Sequence, residues 1–436
     1  MPDVVLPCLD EALALPALFD AMPTRWRPIL CDNGSRDGSA DIARRRGVQV
    51  VEVPRRGYGA AVHAGLQASD ADVLAVMDAD GTLDPRQLDR VAAPVEAFEA
   101  DLVVGRRRPV NWRNHPLTAR TVNAVLTRRV RRGAGVHLHD LGPMRAARRE
   151  SLLALGVQDR RFGYPLEELM RAGRATWRVR EVDVDYGSRA AGSTSKVTGS
   201  VRGSLRALHD LGGVAARAAG PAHPQPTVVV MSKVPAPGKV KTRLCPPLAP
   251  ESAATLAEAA LLDTLDAVSA TAGVRRILAL AGECAEAEPW KRCDFTLVPQ
   301  RGQGLGDRLA NVLTDVHDPD GGPVLLVGMD TPQLRPAHLF AALEVLTRKP
   351  VVLADADDGG WWLIGLRDSR TAEVLRGVPM SRPDTADLTR QAFAAREVEV
   401  AALMTLTDVD TIDDAILVAA QAPASRFAHA VREALA

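Results

Sequence analysis

With 436 residues, 46% of them hydrophobic and 25% charged, the chain has ordinary globular composition and length for two or three domains, which excludes long disordered segments. The formal net charge is zero, but residues 1–220 hold 33 Lys+Arg against 26 Asp+Glu and the remainder 21 against 28, a basic half joined to an acidic one. Five cysteines (Cys8, Cys31, Cys245, Cys284 and Cys293) show no CxxC spacing, which argues against a disulfide framework or zinc site and reads as reduced thiols.

The first residues, MPDVVLPCLDEA, are acidic where a signal peptide is basic. No apolar run approaches the roughly 18 residues of a membrane span, so a cytoplasmic protein without an integral membrane segment is expected. Arginine clusters at 44–46, 106–108, 128–129 and 131–132 suit anionic ligands or a lipid headgroup surface as well as plain solvent. At most peripheral contact with the inner membrane face is expected. No reader motif accompanies the charge, and nucleic acid is not an expected partner.

Along the chain, short β-branched runs near 3–6, 28–31, 48–53, 73–77 and 101–104 alternate with amphipathic helical stretches. A second series falls near 227–231, 275–280, 294–298, 323–328 and 350–354. This alternation predicts α/β layers with a mainly parallel sheet in each half. The stretch at 213–226 is small, Pro-rich and non-periodic, so it is expected to link a first domain, 1–212, to a second, 227–436.

The chemistry of the first domain gathers at strand ends. The first strand meets Pro7-Cys8-Leu9-Asp10-Glu11, the second runs into Asp32-Asn33-Gly34-Ser35-Arg36-Asp37-Gly38-Ser39, and the third leads to Arg55-Arg56-Gly57-Tyr58-Gly59. Glycine-rich turns before helices expose backbone amides that suit phosphate or base recognition. The fourth strand drives into Asp78-Ala79-Asp80-Gly81, two hard oxygen ligands that can hold Mg²⁺ or Mn²⁺ while leaving positions open for substrate phosphates. An ordinary acidic turn is the alternative for this pair taken alone. In an open α/β sheet these strand ends together form the ligand crevice.

This ordered series resembles the family 2 glycosyltransferases, and Asp140-Leu141-Gly142-Pro143-Met144-Arg145, Phe162 to Glu167 and Arg189 to Lys196 extend the likeness to their polyprenyl-phosphate mannosyl- and glucosyltransferase branch. The resemblance covers about residues 1–210 and implies a GT-A (Rossmann-like, nucleotide-diphospho-sugar transferase) fold and inverting, metal-dependent sugar transfer from a nucleoside diphosphate sugar to a polyprenyl phosphate or a hydroxyl. It implies that Pro7, Glu11, Asp32 and Gly57 contact the nucleotide, that Asp78 and Asp80 hold the ion, and that Arg145, Glu167, Arg189 and Lys196 serve the acceptor or its phosphate. Asp140 would activate an acceptor hydroxyl, or organise the site if the acceptor is an already ionised phosphate. Glu167 has the alternative of offsetting a helix dipole. Asp10 departs from the Asn usual before the Glu in that branch.

In the second domain, Ser232-Lys233-Val234-Pro235-Ala236-Pro237-Gly238-Lys239-Val240-Lys241-Thr242-Arg243 places four cations within eleven residues, either a phosphate cradle or a solvated basic loop. Gln300 to Arg308, Gly328-Met329-Asp330-Thr331-Pro332, Asp357-Asp358-Gly359-Gly360-Trp361 and Asp408-Val409-Asp410 follow. The set resembles the domain-of-unknown-function 2064 family, relatives of MobA-like and CofC-like nucleotidyltransferases that include arsenosugar-type glycosyltransferases. Trp361 stands where that family commonly has Tyr. The likeness implies Lys239, Lys241, Arg243 and Asp358 near a nucleotide, and Asp330 with Asp408 or Asp410 near a metal. A second nucleotide-dependent glycosyltransferase, a pyrophosphate-releasing nucleotidyltransferase and a non-catalytic nucleotide-binding module all remain open for this domain.

Overall fold

The structure, a computed structural model, describes residues 1–110, 117–189, 213, 224–282, 290, 292 and 294–436. The chain divides into two compact units, Met1–His223 and Pro224–Ala436. Most of the expected linker lies outside the described residues.

The first unit is built on seven strands: β1 (Asp3–Cys8), β2 (Arg27–Asp32), β3 (Gln49–Glu52), β4 (Val73–Val76), β5 (Leu102–Pro109), β6 (Met144–Arg148) and β7 (Val179–Tyr186). They lie in the order β3-β2-β1-β4-β6-β5-β7. β6 runs antiparallel to β4 and β5, and the remaining pairs are parallel. The second unit repeats the pattern with β8 (Thr227–Lys233), β9 (Arg275–Ala281), β10 (Thr296–Pro299), β11 (Val324–Gly328), β12 (Val351–Asp355), β13 (Trp361–Leu366) and β14 (Val400–Ala402). Their order is β10-β9-β8-β11-β13-β12-β14, with β13 the antiparallel strand. Each sheet is therefore a mostly parallel GT-A sheet, and the two agree strand for strand.

Central strands are apolar on both faces because helices cover both sides. Val4, Val5 and Leu6 of β1 are fully buried, as are Val228, Val229 and Val230 of β8. On one face of the first sheet the helix Leu88–Glu96 contributes Leu88, Val91, Ala92 and Val95 to the core around Val4 and Leu6. Leu88, Val91 and Val95 each add about 1.5–3 kcal/mol of apolar burial. On the other face the helix Tyr58–Ala68 sits against β1, where a Cβ on Gly65 would lie 2.3 Å from a Val5 methyl. This close seating lets the start of that helix meet the strand ends. The turns after β1, β2 and β4 share one sheet edge, the crevice expected where strand order reverses.

Four strands, β6, β7, β13 and β14, were not among those expected. β6 reads Met-Arg-Ala-Ala-Arg, with no β-branched residue, yet all five residues are buried. Its propensity is overridden by a central position between β4 and β5.

Candidate functional site

In the first unit the loops after β1 and β2 are knitted together by side-chain oxygens. The Ser35 hydroxyl accepts from the Asp10 N–H at 2.9 Å, the Asp10 carboxylate accepts from the Arg36 N–H at 2.7 Å, and the Ser39 hydroxyl accepts from the Glu11 N–H at 2.9 Å. Asp10, the departure noted in the sequence, thus holds the β2 loop. Asp32 ends β2 nearly buried and accepts from the Ser35 N–H, and Pro7 lies one residue before the end of β1.

Asn33 joins the third loop. Its amide donates to the carbonyls of Val53 and Arg55, and its oxygen accepts from the Gly57 N–H at 2.6 Å. Gly57 has φ +140°, and a Cβ there would lie 2.1 Å from the Arg160 carbonyl oxygen. The close approach expected of a ligand at this glycine is made by the chain's own backbone, which also takes hydrogen bonds from the N–H groups of Gly59 and Ala60.

Asp78 and Asp80 follow β4 in the same crevice. Burial, then the neighbouring Asp80 carboxylate, raise the Asp78 carboxyl well above the ordinary range, opposed by Arg145, Arg107 and Arg189. Asp80 accepts from the backbone N–H and hydroxyl of Thr82, and its other oxygen lies 2.7 Å from the Arg189 guanidinium. Arg189 thus reaches this carboxylate rather than standing apart. Lys196 lies outside the described residues.

Three of the expected residues have their polar groups engaged by the protein itself. Asp140 accepts a bidentate pair from Arg107, at 2.8 and 2.7 Å, and backbone donations from Arg107 and Gly142. Burial alone would raise its pKa, but the guanidinium prevails and holds it below the ordinary carboxylate range. A carboxylate so occupied is a poor proton acceptor, which weighs against the general-base role and for the organising one. Arg145 is 1% exposed and lies 3.1 Å from Glu168, with one N–H donated to the Gly142 carbonyl. It acts on the crevice as a buried charge facing Asp78. The Glu167 carboxylate accepts from the backbone of Gln158 and Asp159 and from Arg171, so in this structure it fastens the 158–159 turn. Arg107, Glu168 and Asn33 are the residues that the sequence did not single out.

The second unit holds a cleft of about 840 Å³ at the corresponding strand ends. It is lined by all seven residues expected there: Lys239, Lys241, Arg243, Asp330, Asp358, Asp408 and Asp410. The Lys241 ammonium lies 2.8 Å from Asp330 and 3.8 Å from Asp410, and donates to the Val409 carbonyl. Arg243 pairs with Asp410 at 2.5 Å. Burial, then Asp330, push the Asp408 carboxyl up to about 7, with Lys241 opposing. Asp358 caps its own turn through the Gly360 N–H, and Lys239 is exposed at the cleft.

Among the described residues no group of three or more His, Cys, Asp or Glu side chains is arranged to hold a metal alone. Two carboxylates suffice for Mg²⁺ or Mn²⁺ when substrate phosphates complete the shell. The donor set of Asp78 and Asp80, all hard oxygen and mutually repelling, fits such an ion.

The sequence matches the family described as Glycosyl transferase family 2 over residues 2–156. An uncharacterized glycosyltransferase of Mycobacterium tuberculosis is 51% identical over 207 residues, 48% of this chain and 94% of the relative. The chain belongs to glycosyl transferase family 2. An undecaprenyl-phosphate mannosyltransferase of Micrococcus luteus is similar to this glycosyltransferase at 30% identity over 235 residues, 49% of the chain and 94% of the relative. Residues 264–382 match a further family, described as an uncharacterized protein conserved in bacteria (DUF2064). A glucosyl-3-phosphoglycerate synthase of Mycobacterium tuberculosis, in complex with Mn²⁺, uridine diphosphate and phosphoglyceric acid, is 24% identical, with a TM-score of 0.39 over 51% of this chain and 79% of that one. No helix among the described residues is long and apolar enough to cross a membrane.

Proposed function

We propose that the first domain transfers a sugar from a nucleoside diphosphate sugar to a polyprenyl phosphate, with inversion. The observation that carries this reading is the carboxylate pair at the end of β4, set among the cations Arg107, Arg145 and Arg189. Pro7, Glu11 and Asp32 belong to the knitted loops that would receive the nucleotide. Asp78 and Asp80 would hold Mg²⁺ or Mn²⁺, which when bound supplies electrostatic stabilisation of the leaving diphosphate. Arg189 is placed to exchange its contact with Asp80 for a phosphate oxygen, since guanidinium pairs with either anion. A phosphate acceptor is already ionised at neutral pH and attacks without a base, in keeping with an Asp140 held by Arg107. The undecaprenyl-phosphate specificity named for the Micrococcus relative supports the acceptor class.

The second domain is a further nucleotide-dependent transferase, and its cleft of cations facing carboxylates is the observation behind that reading. Glycosyl transfer there releases a nucleoside diphosphate, whereas nucleotidyl transfer releases pyrophosphate. The full-length protein, given nucleotide sugars and nucleoside triphosphates in turn, should release one of these products through the second cleft. Lys241→Ala with Arg243→Ala should weaken nucleotide binding roughly 10- to 100-fold, the value of one charged hydrogen bond of about 1.5–3 kcal/mol. Unchanged affinity in that double variant would remove the cleft as the nucleotide site.

A further inference from the structure

The helix Leu117–Ala134 contains no acidic residue and carries five arginines. At about 3.6 residues per turn its two sides separate cleanly. Leu126, Thr127 and Val130 are buried on one side. Arg128, Arg129, Arg131 and Arg132 are exposed on the other, with Ala124 and Val125 among them. Val125 is 48% exposed. None of these four guanidinium groups has an ion-pair or hydrogen-bond partner among the described residues. The helix dipole accounts for basic residues in the last turn, Arg131 and Arg132, but Arg128 and Arg129 lie a turn earlier.

The buried side ties this helix to the site. Asn123 donates to the His139 carbonyl at 2.8 Å and accepts from the Leu141 N–H at 3.1 Å, so it grips the chain on both sides of Asp140. A surface held against the exposed face would therefore be held at a fixed position relative to the Asp140 segment.

We propose that this exposed face docks the first domain on an anionic lipid surface. Unneutralised arginines around short aliphatic side chains are the chemistry of a helix lying in the headgroup layer, where guanidinium meets phosphate and the aliphatic groups enter the acyl boundary. This face, made of Ala124, Val125 and the four arginines, offers no aromatic platform or amide fork for reading nucleic acid. The proposal rests on the lipid-linked acceptor reading for its purpose, but the docking is measurable without turnover.

The test is co-sedimentation of the full-length protein, without nucleotide sugar, with vesicles of phosphatidylcholine alone or mixed with phosphatidylglycerol. Binding to the mixed vesicles at low salt, its loss at high salt, and no binding to phosphatidylcholine alone are expected. Arg128→Gln with Arg132→Gln should weaken partition about 30-fold, from about five-fold (about 1 kcal/mol) per arginine. Arg396→Gln with Arg432→Gln, the same charge loss in the second unit, should leave partition unchanged. An unaltered unfolding midpoint in the test variant excludes misfolding, and turnover with a short, water-soluble polyprenyl phosphate should match the wild type. The proposal is overturned if the wild type ignores mixed vesicles, if the test variant binds them like the wild type, or if duplex DNA is bound more tightly than vesicles. Vesicle binding without any turnover would instead count against the transferase reading alone.

Discussion

Asp140 and Arg107 illustrate how a single pair can decide a role. Asp140 is nearly buried and bonded through both oxygens, so removing its charge leaves the guanidinium without its ionic partner. Breaking a buried pair in this way costs about 3–5 kcal/mol, and Asp140→Asn should lower the unfolding midpoint accordingly at pH 7. Because the folded-state pKa of Asp140 is depressed, its contribution is fully present above the ordinary carboxylate value of about 3.9 and disappears as pH falls through the folded value. The wild-type advantage, measured by calorimetry over a pH series, should therefore persist down to about pH 4 and close below it. A gap independent of pH would show that the pair does not carry the effect. Asp78 and Asp80 were legible in the sequence because an apolar run ends on them. Arg107 was not, since nothing in Arg106-Arg107-Arg108 says which guanidinium turns inward. Glu167 and Glu168 are neighbours about 100° apart on one helix, so sequence cannot tell which one fastens a turn and which one meets Arg145.

At the scale of elements, the turns carry more information than the strands. Gly57 and Gly38 both have φ in the region that disfavours side chains, but only Gly57 faces the Arg160 carbonyl, while nothing lies within 4 Å of a Cβ at Gly38. Gly38→Ala should cost about 1–2 kcal/mol from backbone strain alone. Gly57→Ala should cost more, because the Arg160 backbone must also move, and it should weaken nucleotide binding by displacing the loop that Asn33 holds. Equal costs for the two changes, read from unfolding midpoints, would refute this account of the turn. Ten of the fourteen strands were legible because parallel, doubly covered strands read as short β-branched runs. The others fail that test for separate reasons. β6 is rich in Arg and Ala and depends on its neighbours, β7 alternates charged with apolar residues along a sheet edge, and β14 is three residues long. β13, Trp-Trp-Leu-Ile-Gly-Leu, was obscured by the Gly-Gly turn in front of it.

Across the whole molecule, the two sheets share one strand order. Each unit ends its fourth strand in an acidic turn, Asp78 to Asp80 after β4 and Asp330 after β11, and each sets a cation against that acid, Arg189 on Asp80 and Lys241 on Asp330. The sheet geometry explains this recurrence, because the fourth strand always delivers its carboxyl end into the central crevice. What each crevice accepts depends on loop residues, and the fold does not determine it. The most direct measurement is therefore transfer of sugar from a panel of nucleoside diphosphate sugars to undecaprenyl phosphate by the full-length protein with Mg²⁺ or Mn²⁺, beside its Asp80→Ala variant. The account predicts nucleoside diphosphate release that requires the lipid phosphate and falls at least roughly 100-fold in the variant, the scale of losing one main electrostatic contribution to the transition state. Equal rates in the two proteins, with the same dependence on the ion, would contradict it.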